Sequence, residues 1–195
     1  MMKTRPFAIK PRRLLAPFLG LALAISIVIT ADATSLKETA MSDKFKPVSE
    51  TFLVAPQLSP ADIKDAAAMG VTLIVNNRPD GEAPGQPTHA ELEAAAKQAG
   101  IAYAYLPVDA RGITPAHTGG LEDAIDDAED GATLAFCRSG MRSILVWSYA
   151  EARFGKPVDQ IIDEARAAGF DISGHEPALT LLHDAHKAPR THPPV

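Results

Sequence analysis

The sequence predicts an α/β fold in which helices cover both faces of a parallel β-sheet, giving three layers. Between residues 44 and 188, short runs of apolar and β-branched residues alternate with longer segments that begin at helix-capping residues. One run, residues 71–75, is apolar or β-branched at every position, which is typical of a strand buried on both faces. Alternating strands and helices of this kind pack as a parallel sheet between two helical layers.

Four segments are predicted to be strands. Each is a short apolar run that ends at a glycine, a proline or a polar loop, as strands of a buried sheet do. They are TFLVA at 51–55, VTLIV at 71–75, IAYAYLPV at 101–108 and ATLAF at 132–136.

Six segments are predicted to be helices. Thr114 precedes Pro115, and proline suits the first helical position because it has no N–H to leave unpaired. Thr88 and Glu91 have the spacing of a capping box. The pair at 119–120, both glycine, weakens the third helix. The predicted helices are 60–69, 89–99, 115–129, 142–154, 157–169 and 176–188.

The first 40 residues are predicted to be a signal peptide or an N-terminal membrane anchor. Five lysines and arginines within residues 3–13 precede residues 14–30, which carry no charge, and small residues surround a possible cleavage point after Ala33. A cleaved signal would export the domain to the periplasm, whereas a transmembrane helix through 14–30 would anchor it to the membrane. If Met41 is the true start, the protein is cytoplasmic.

Composition narrows the class of protein. The predicted domain spans 41–188, and the proline-containing tail at 189–195 is predicted to be disordered. The net charge of −5 argues against a nucleic-acid partner, because such proteins usually carry a basic surplus. A single cysteine can form neither an intrachain disulfide nor a cysteine zinc cluster.

Histidines near the C-terminus are the other metal-ligand candidates. His183 and His186 lie three apart on the last predicted helix and could share a metal with His175 or Asp184. Such spacing arises easily by chance in a terminal helix that contains histidines. We therefore predict no metal site and no cofactor.

The single cysteine, Cys137, lies between a predicted strand and a predicted helix. In parallel sheets ligands bind beyond the carboxyl ends of the strands, so the cysteine is placed where this architecture carries its chemistry. Loop amides and the N-terminus of the next helix would stabilise a thiolate there, and Gly140 would permit the tight turn. A cysteine in a strand context is often a small buried hydrophobe, but that role does not need two neighbouring arginines.

The surrounding residues predict an anion site. Arg142 can hold an oxyanion with two parallel hydrogen bonds, and Ser143 can donate its hydroxyl to the sulfur. Arg78 follows a buried strand, so it either contacts substrate, braces the cysteine loop or pairs with Asp80. Arg111 is expected to face solvent. The residues predicted to bind a small anionic substrate are Arg138, Ser139, Gly140, Met141, Ser143 and Arg78.

Five segments carry a resemblance to a known family: VAPQLSPADI, NNRPDGEAPGQP, YLPVDARGIT, FCRSGMRS and AAGFDIS. Between about Phe45 and Leu182 the chain resembles the BLH family, the phosphatase-like domain named after beta-lactamase-hydrolase-like proteins. The resemblance implies a fold like the cysteine-dependent dual-specificity phosphatases, with residues 41–188 as the catalytic domain. It also implies that Cys137 is the nucleophile and Asp109 the general acid.

Two departures from the phosphatase pattern leave the chemistry open. Four residues separate Cys137 from Arg142, where a phosphatase has five, and Phe136 replaces the usual histidine. The shorter loop resembles that of rhodanese-type sulfurtransferases, in which the cysteine carries a persulfide.

Three functions therefore follow from the sequence. The first is a phosphatase-like hydrolase that forms a covalent intermediate on Cys137 with a phosphate ester. The second is a rhodanese-like sulfurtransferase, whose partner would be a sulfur donor. The third is a non-catalytic module that binds an anion in the same loop.

Overall fold

The computed structural model describes residues 44–187. The predicted signal peptide or anchor at 1–40 and the predicted tail at 189–195 lie outside these residues. The described part of the chain contains five strands and six α-helices. The strands are β1 (Lys46–Pro47), β2 (Phe52–Ala55), β3 (Val71–Asn76), β4 (Ala102–Tyr105) and β5 (Ala132–Phe136). The helices are α1 (Pro60–Ala68), α2 (His89–Gln98), α3 (Pro115–Asp127), α4 (Met141–Arg153), α5 (Val158–Ala167) and α6 (Glu176–Lys187).

The strands form one sheet in the order β1-β2-β5-β3-β4. The last four are parallel, and Leu134 of β5 lies opposite Leu53 on one side and Ile74 on the other. β1 runs antiparallel to β2, so the sheet is mixed, whereas the sequence predicted a parallel sheet and no strand at β1. A two-residue strand has no periodicity to detect, and its Pro47 is tolerated because β1 lies at the edge of the sheet.

Helices cover both faces of the sheet, as predicted. Neighbouring side chains of a strand point to opposite faces, so Ala135 joins one buried cluster while Leu134 and Phe136 join the other. Helices α1 and α2 close the cluster that contains Phe136, whereas α3 to α6 close the cluster that contains Trp147 of α4. None of the helices within residues 44–187 is long and apolar enough to cross a membrane.

The predicted strand at 101–108 is too long. β4 ends at Tyr105, and Pro107 shortly after it has no N–H to continue a ladder. The chain stays attached to the end of β3, because the N–H groups of Leu106 and Val108 donate to the carbonyls of Asn76 and Asn77 at 2.9 and 3.0 Å. This attachment brings the segment after β4 to the same edge of the sheet as the segments after β3 and β5.

Candidate active site

The cysteine loop begins where β5 ends at the centre of the sheet. Cys137 follows Phe136 directly, and the N–H of Gly140 donates to its Sγ at 3.2 Å. Helix α4 begins at the next residue, and its first intrahelical bond runs from the N–H of Ile144 to the Gly140 carbonyl at 2.9 Å. The sulfur therefore lies at the N-terminal end of a thirteen-residue helix, where the helix dipole favours an anion.

Gly140 is required by both its conformation and its surroundings. Its φ of +93° lies in the left-handed region, which residues with a Cβ rarely adopt. A Cβ at this position would lie 2.7 Å from Cζ of Phe170 and 3.0 Å from Cγ1 of Val54. The loop is thus packed against two neighbouring elements, which fixes the amide that binds the sulfur.

The thiol is more covered than an open nucleophile site would require. Cys137 is 1% exposed, so its side chain is shielded from solvent by the surrounding residues. Among the residues predicted to bind substrate, Arg138, Ser139 and Met141 lie on the exposed rim of the loop, while Gly140 and Ser143 are buried. The rim side chains are therefore the part of the loop that a ligand can reach first.

Ser143 does not make the hydrogen bond predicted for it. Its side chain is fully buried in the first turn of α4, and within residues 44–187 its Oγ has no hydrogen-bond partner. The prediction that it donates to the Cys137 sulfur is wrong for this structure. A buried hydroxyl without a partner is uncommon, because leaving it unpaired costs free energy. The hydroxyl of Ser143 is thus an unused hydrogen-bond donor close to the cysteine loop.

Arg142 is held by the two loops that follow β3 and β4. Its Nη1 donates to Oε1 of Glu82 at 2.6 Å and to the Val108 carbonyl at 2.8 Å, while Nη2 donates to Oε2 of Glu82 at 2.8 Å. Hydrogen bonding to Glu82 raises the pKa of Arg142, and its interaction with Cys137 acts in the same direction. The guanidinium is therefore anchored beside the cysteine by residues of the chain itself.

Glu82 is the main residue of the site that sequence reasoning missed. It lies in the proline- and glycine-rich loop after β3. Besides Arg142, it binds a second guanidinium, since Nε of Arg78 donates to its Oε2 at 2.9 Å. The two arginines, Arg142 first, lower the pKa of Glu82 from 4.5 to about 2. Glu82 is therefore ionised at neutral pH and bridges two cations.

Arg78 is linked to the start of helix α4 through Glu82, which binds both Arg78 and Arg142. It is buried, and its Nη1 donates to Oε1 of Gln57 at 2.7 Å. The alternative pairing with Asp80 is not made. Instead, the N–H of Asp80 donates to Oη of Tyr105 at 3.1 Å, and its Oδ1 accepts from the N–H of His89 at 2.8 Å.

The backbone of Asp109 lies beside the cysteine loop, but its carboxylate is paired with Arg111. The residue before it, Val108, gives its carbonyl to Arg142, so the backbone of Asp109 adjoins the cysteine loop. Its carboxylate pairs with Arg111, with 2.6 Å between Oδ2 and Nη2 and 3.0 Å between Oδ2 and Nε. Hydrogen bonds from Arg111 lower the pKa of Asp109 to about 2. Arg111 faces solvent, as predicted, yet it also holds Asp109 in its ionised form.

His117 secures the loop that carries Asp109. Its Nδ1 accepts the N–H of Thr114 at 2.9 Å, so the ring proton lies on Nε2, which donates to the Pro107 carbonyl at 3.1 Å. The histidine side chain thus joins the start of α3 to the residue that leads into the Asp109 loop. Nothing in the sequence pattern indicated this role.

The histidines near the C-terminus do not form a metal cluster in the described part of the chain. His175 instead shares a hydrogen bond of 2.8 Å with Oη of Tyr149, and His183 lies 3.5 Å from Asp184. Within residues 44–187 no group of three or more histidine, cysteine or acidic side chains is arranged to hold a metal.

This arrangement defines a cysteine-phosphatase-like fold: a strand at the centre of the sheet ends at the cysteine, and a glycine-containing loop leads to an arginine in the first turn of a helix. The chain belongs to the family of the beta-lactamase hydrolase-like protein, phosphatase-like domain, whose family model matches residues 44–154. The family resemblance predicted from the sequence is thereby confirmed.

Among curated relatives, the beta-lactamase hydrolase-like protein of Agrobacterium fabrum is 34% identical over 126 residues. The match covers 64% of this chain and 29% of that protein, so the chain spans less than a third of the length of the curated relatives it matches.

Solved structures show the same fold. The crystal structure of a candidate phosphatase from Neisseria meningitidis is 35% identical, with a TM-score of 0.62, and the match covers 70% of this chain and 96% of that one. The P. aeruginosa protein TpbA, with a cysteine-to-serine substitution and in complex with phosphotyrosine, is 14% identical, with a TM-score of 0.53. That match covers 75% of this chain and 92% of TpbA.

Proposed function

We propose that this domain hydrolyses a small phosphate ester through a covalent intermediate on Cys137. The observation that carries the proposal is the pairing of one thiol with one anchored guanidinium in a single loop. The Gly140 amide donates to the sulfur, and Arg142 is fixed five residues after the cysteine. A sulfur nucleophile that accepts an amide hydrogen bond beside a cation suits attack on an electrophile that bears anionic oxygens.

In the first step, the Cys137 thiolate forms a bond to phosphorus and the ester P–O bond breaks. Arg142 and the loop amides hold the non-bridging oxygens, and Asp109 gives a proton to the leaving oxygen. In the second step, water attacks phosphorus, the P–S bond breaks and Asp109 takes the proton from the water. Phosphate leaves, and the thiolate and the acid are both restored.

Asp109 can act as the acid only after it separates from Arg111. While the pair is formed the pKa of Asp109 is about 2, so almost none of it carries a proton at neutral pH. Binding of an anionic substrate near the exposed Arg111 would draw this guanidinium away from Asp109. The proposed reaction therefore includes an exchange of ion pairs before the proton is transferred.

Sulfur transfer is the second candidate, favoured by the four-residue spacing between Cys137 and Arg142. With thiosulfate, the thiolate would attack the outer sulfur, the S–S bond would break, and sulfite would leave with the electron pair. Cyanide would then remove the outer sulfur of the persulfide as thiocyanate and restore the thiolate. This reaction needs no general acid, so Asp109 would have no part in it.

A paired assay of the full chain tests both reactions. One arm offers p-nitrophenyl phosphate and the other offers thiosulfate with cyanide, each with wild type and with Cys137→Ser. Release of nitrophenol that Cys137→Ser abolishes supports the proposal. Thiocyanate without nitrophenol assigns the site to sulfur transfer, and neither product from a wild type that binds phosphate assigns it to anion binding. Because Cys137 is the only cysteine, mass spectrometry of a quenched reaction locates the adduct on one residue.

A further inference from the structure

A chain of polar contacts crosses the edge of the sheet beneath the cysteine loop. Gln57, after β2, accepts from Arg78, after β3; Arg78 donates to Glu82, and Glu82 accepts from Arg142 at the start of α4. The bond lengths lie between 2.6 and 2.9 Å. A single carboxylate in this chain joins the buried Arg78 to the arginine beside the nucleophile.

The donors of Arg142 show what this carboxylate leaves for a ligand. A guanidinium has five N–H groups. Glu82 takes one from Nη1 and one from Nη2, and the Val108 carbonyl takes the second from Nη1. The two that remain, on Nε and Nη2, lie side by side along one edge of the guanidinium. This edge has the fork geometry that binds two oxygens of one oxyanion.

An oxyanion can bind Arg142 without displacing the Glu82 carboxylate. Glu82 binds the end of the guanidinium formed by Nη1 and Nη2, so this carboxylate does not take the Nε edge, and the Cys137 thiol also interacts with Arg142. Oε2 of Glu82 also accepts from Arg78, whose side chain is only 6% exposed. Removing the carboxylate from the site would leave this buried guanidinium without its charged partner, which is costly.

We infer that Glu82 is a positioning residue, which holds the Nε edge of Arg142 toward the oxyanion, and that Arg78 in turn fixes Glu82. The inference rests on the proposed function, because it assigns Arg142 to oxyanion binding. An arginine that is already fixed loses less side-chain freedom when its ligand binds. It also presents its two donors where charge develops during the reaction.

Glu82→Gln tests this role, with Glu93→Gln on the exposed side of α2 as the matched control. The amide keeps the size of the side chain but removes its charge and one acceptor oxygen. The first readout is the affinity for tungstate, a phosphate-sized oxyanion, measured by calorimetry in wild type and each variant. The second is kcat and KM for p-nitrophenyl phosphate. We expect Glu82→Gln to weaken tungstate binding about tenfold and to lower kcat roughly ten- to a hundredfold, since small misplacements in a catalytic site have effects of this size.

The variant Arg78→Met separates positioning from a purely structural effect. If Glu82 acted only by supporting Arg78, adding Glu82→Gln to Arg78→Met would change nothing further. We expect the double variant to bind tungstate more weakly than Arg78→Met alone, because Glu82 still contacts Arg142 in that background. Circular dichroism checks that each variant is folded, and Glu82→Gln alone remains decisive if Arg78→Met is not.

The outcomes distinguish this inference from the proposed function. Tungstate affinity that depends on Glu82 in a protein that hydrolyses no phosphate ester supports the inference and overturns the proposed function. Unchanged or tighter tungstate binding by Glu82→Gln, in a protein that does hydrolyse the ester, overturns the inference alone. A wild-type protein that binds no tungstate overturns both.

Discussion

Glu82 and Arg142 are sixty residues apart in the chain and are joined by two hydrogen bonds of 2.6 and 2.8 Å. The pair connects the loop after β3 to the first turn of α4, so the position of the loop and the position of the anion-binding arginine depend on each other. Their side chains are 29% and 24% exposed, which leaves the contact partly shielded from water and salt. Both a fall in pH and a substitution of Glu82 should therefore change measurable properties of the protein through this contact.

Protonation of Glu82 at acid pH should lower the stability of the folded protein. The pKa of Glu82 is lowered from 4.5 to about 2 in the folded protein, so the pair contributes stability at pH values above 4.5. That contribution is lost as the pH falls toward 2, because the carboxyl becomes protonated. We expect the thermal midpoints of wild type and Glu82→Gln to differ at pH 7 and to converge near pH 2, as measured by circular dichroism. A difference that stays constant with pH would contradict the assignment.

Arg111→Gln should increase hydrolysis of the phosphate ester if Asp109 is the general acid. Without Arg111, the pKa of Asp109 returns from about 2 toward 3.8, so more of the acid is protonated. At a fixed pH near 6 this raises the protonated fraction, and with it kcat/KM, by up to roughly fiftyfold.

The control for this experiment is Arg111→Gln combined with Asp109→Asn. The gain should vanish in the double variant, and thiosulfate-to-cyanide transfer should not change in either. A fall in kcat/KM with Arg111→Gln alone would show that Arg111 contributes more to substrate binding than it costs by keeping Asp109 ionised.

Most of the fold could be predicted because its signals are local. Two elements form where they were expected, because neighbouring residues alone determine them. One is the helix that begins with the capping box of Thr88 and Glu91, and the other is the strand that contains the apolar run at 71–75. β1 could not be predicted, since its two residues form a strand only by pairing with Leu53 and Val54. The end of β4 was misplaced because the apolar run continues past the last paired residue.

The candidate site was only partly predictable for the same reason. Cys137, Gly140 and Arg142 are close in sequence, so their spacing alone indicated a shared loop. Glu82 gave no signal, because its function depends on two arginines that only the folded chain brings together. The Asp109–Arg111 pair was missed although the residues are two apart, since sequence does not show which way exposed side chains turn.

Gly140→Ala should impair both stability and activity. The left-handed conformation alone costs about 1–2 kcal/mol for a residue with a Cβ, and contact with Phe170 adds to this. Gly100→Ala is the control, because that glycine has a φ of +73° but open space around it. We expect chemical denaturation to show a larger loss for Gly140→Ala than for Gly100→Ala, with lost turnover for Gly140→Ala only. Equal losses would mean that crowding does not matter.

Gly119→Ala and Gly120→Ala should differ although they are neighbours in α3. Alanine favours a helix by about 1 kcal/mol over glycine, and a Cβ at Gly119 meets nothing within 4 Å. At Gly120 it would lie 2.8 Å from Cδ2 of Leu106, so the gain is offset by displacement of that side chain. We expect urea unfolding to show that Gly119→Ala stabilises the protein and that Gly120→Ala does so less or not at all. A larger gain at Gly120 would contradict the packing described for Leu106.

The covering of Cys137 also determines which reagents can modify it. A cysteine that is 1% exposed is shielded from bulky alkylating agents, whereas a molecule the size of hydrogen peroxide needs much less space to approach its sulfur. Oxidation to the sulfenic acid would have no second cysteine in the chain to form a rescuing disulfide. Recovery from oxidative damage therefore depends on a reductant supplied by the surroundings of the protein.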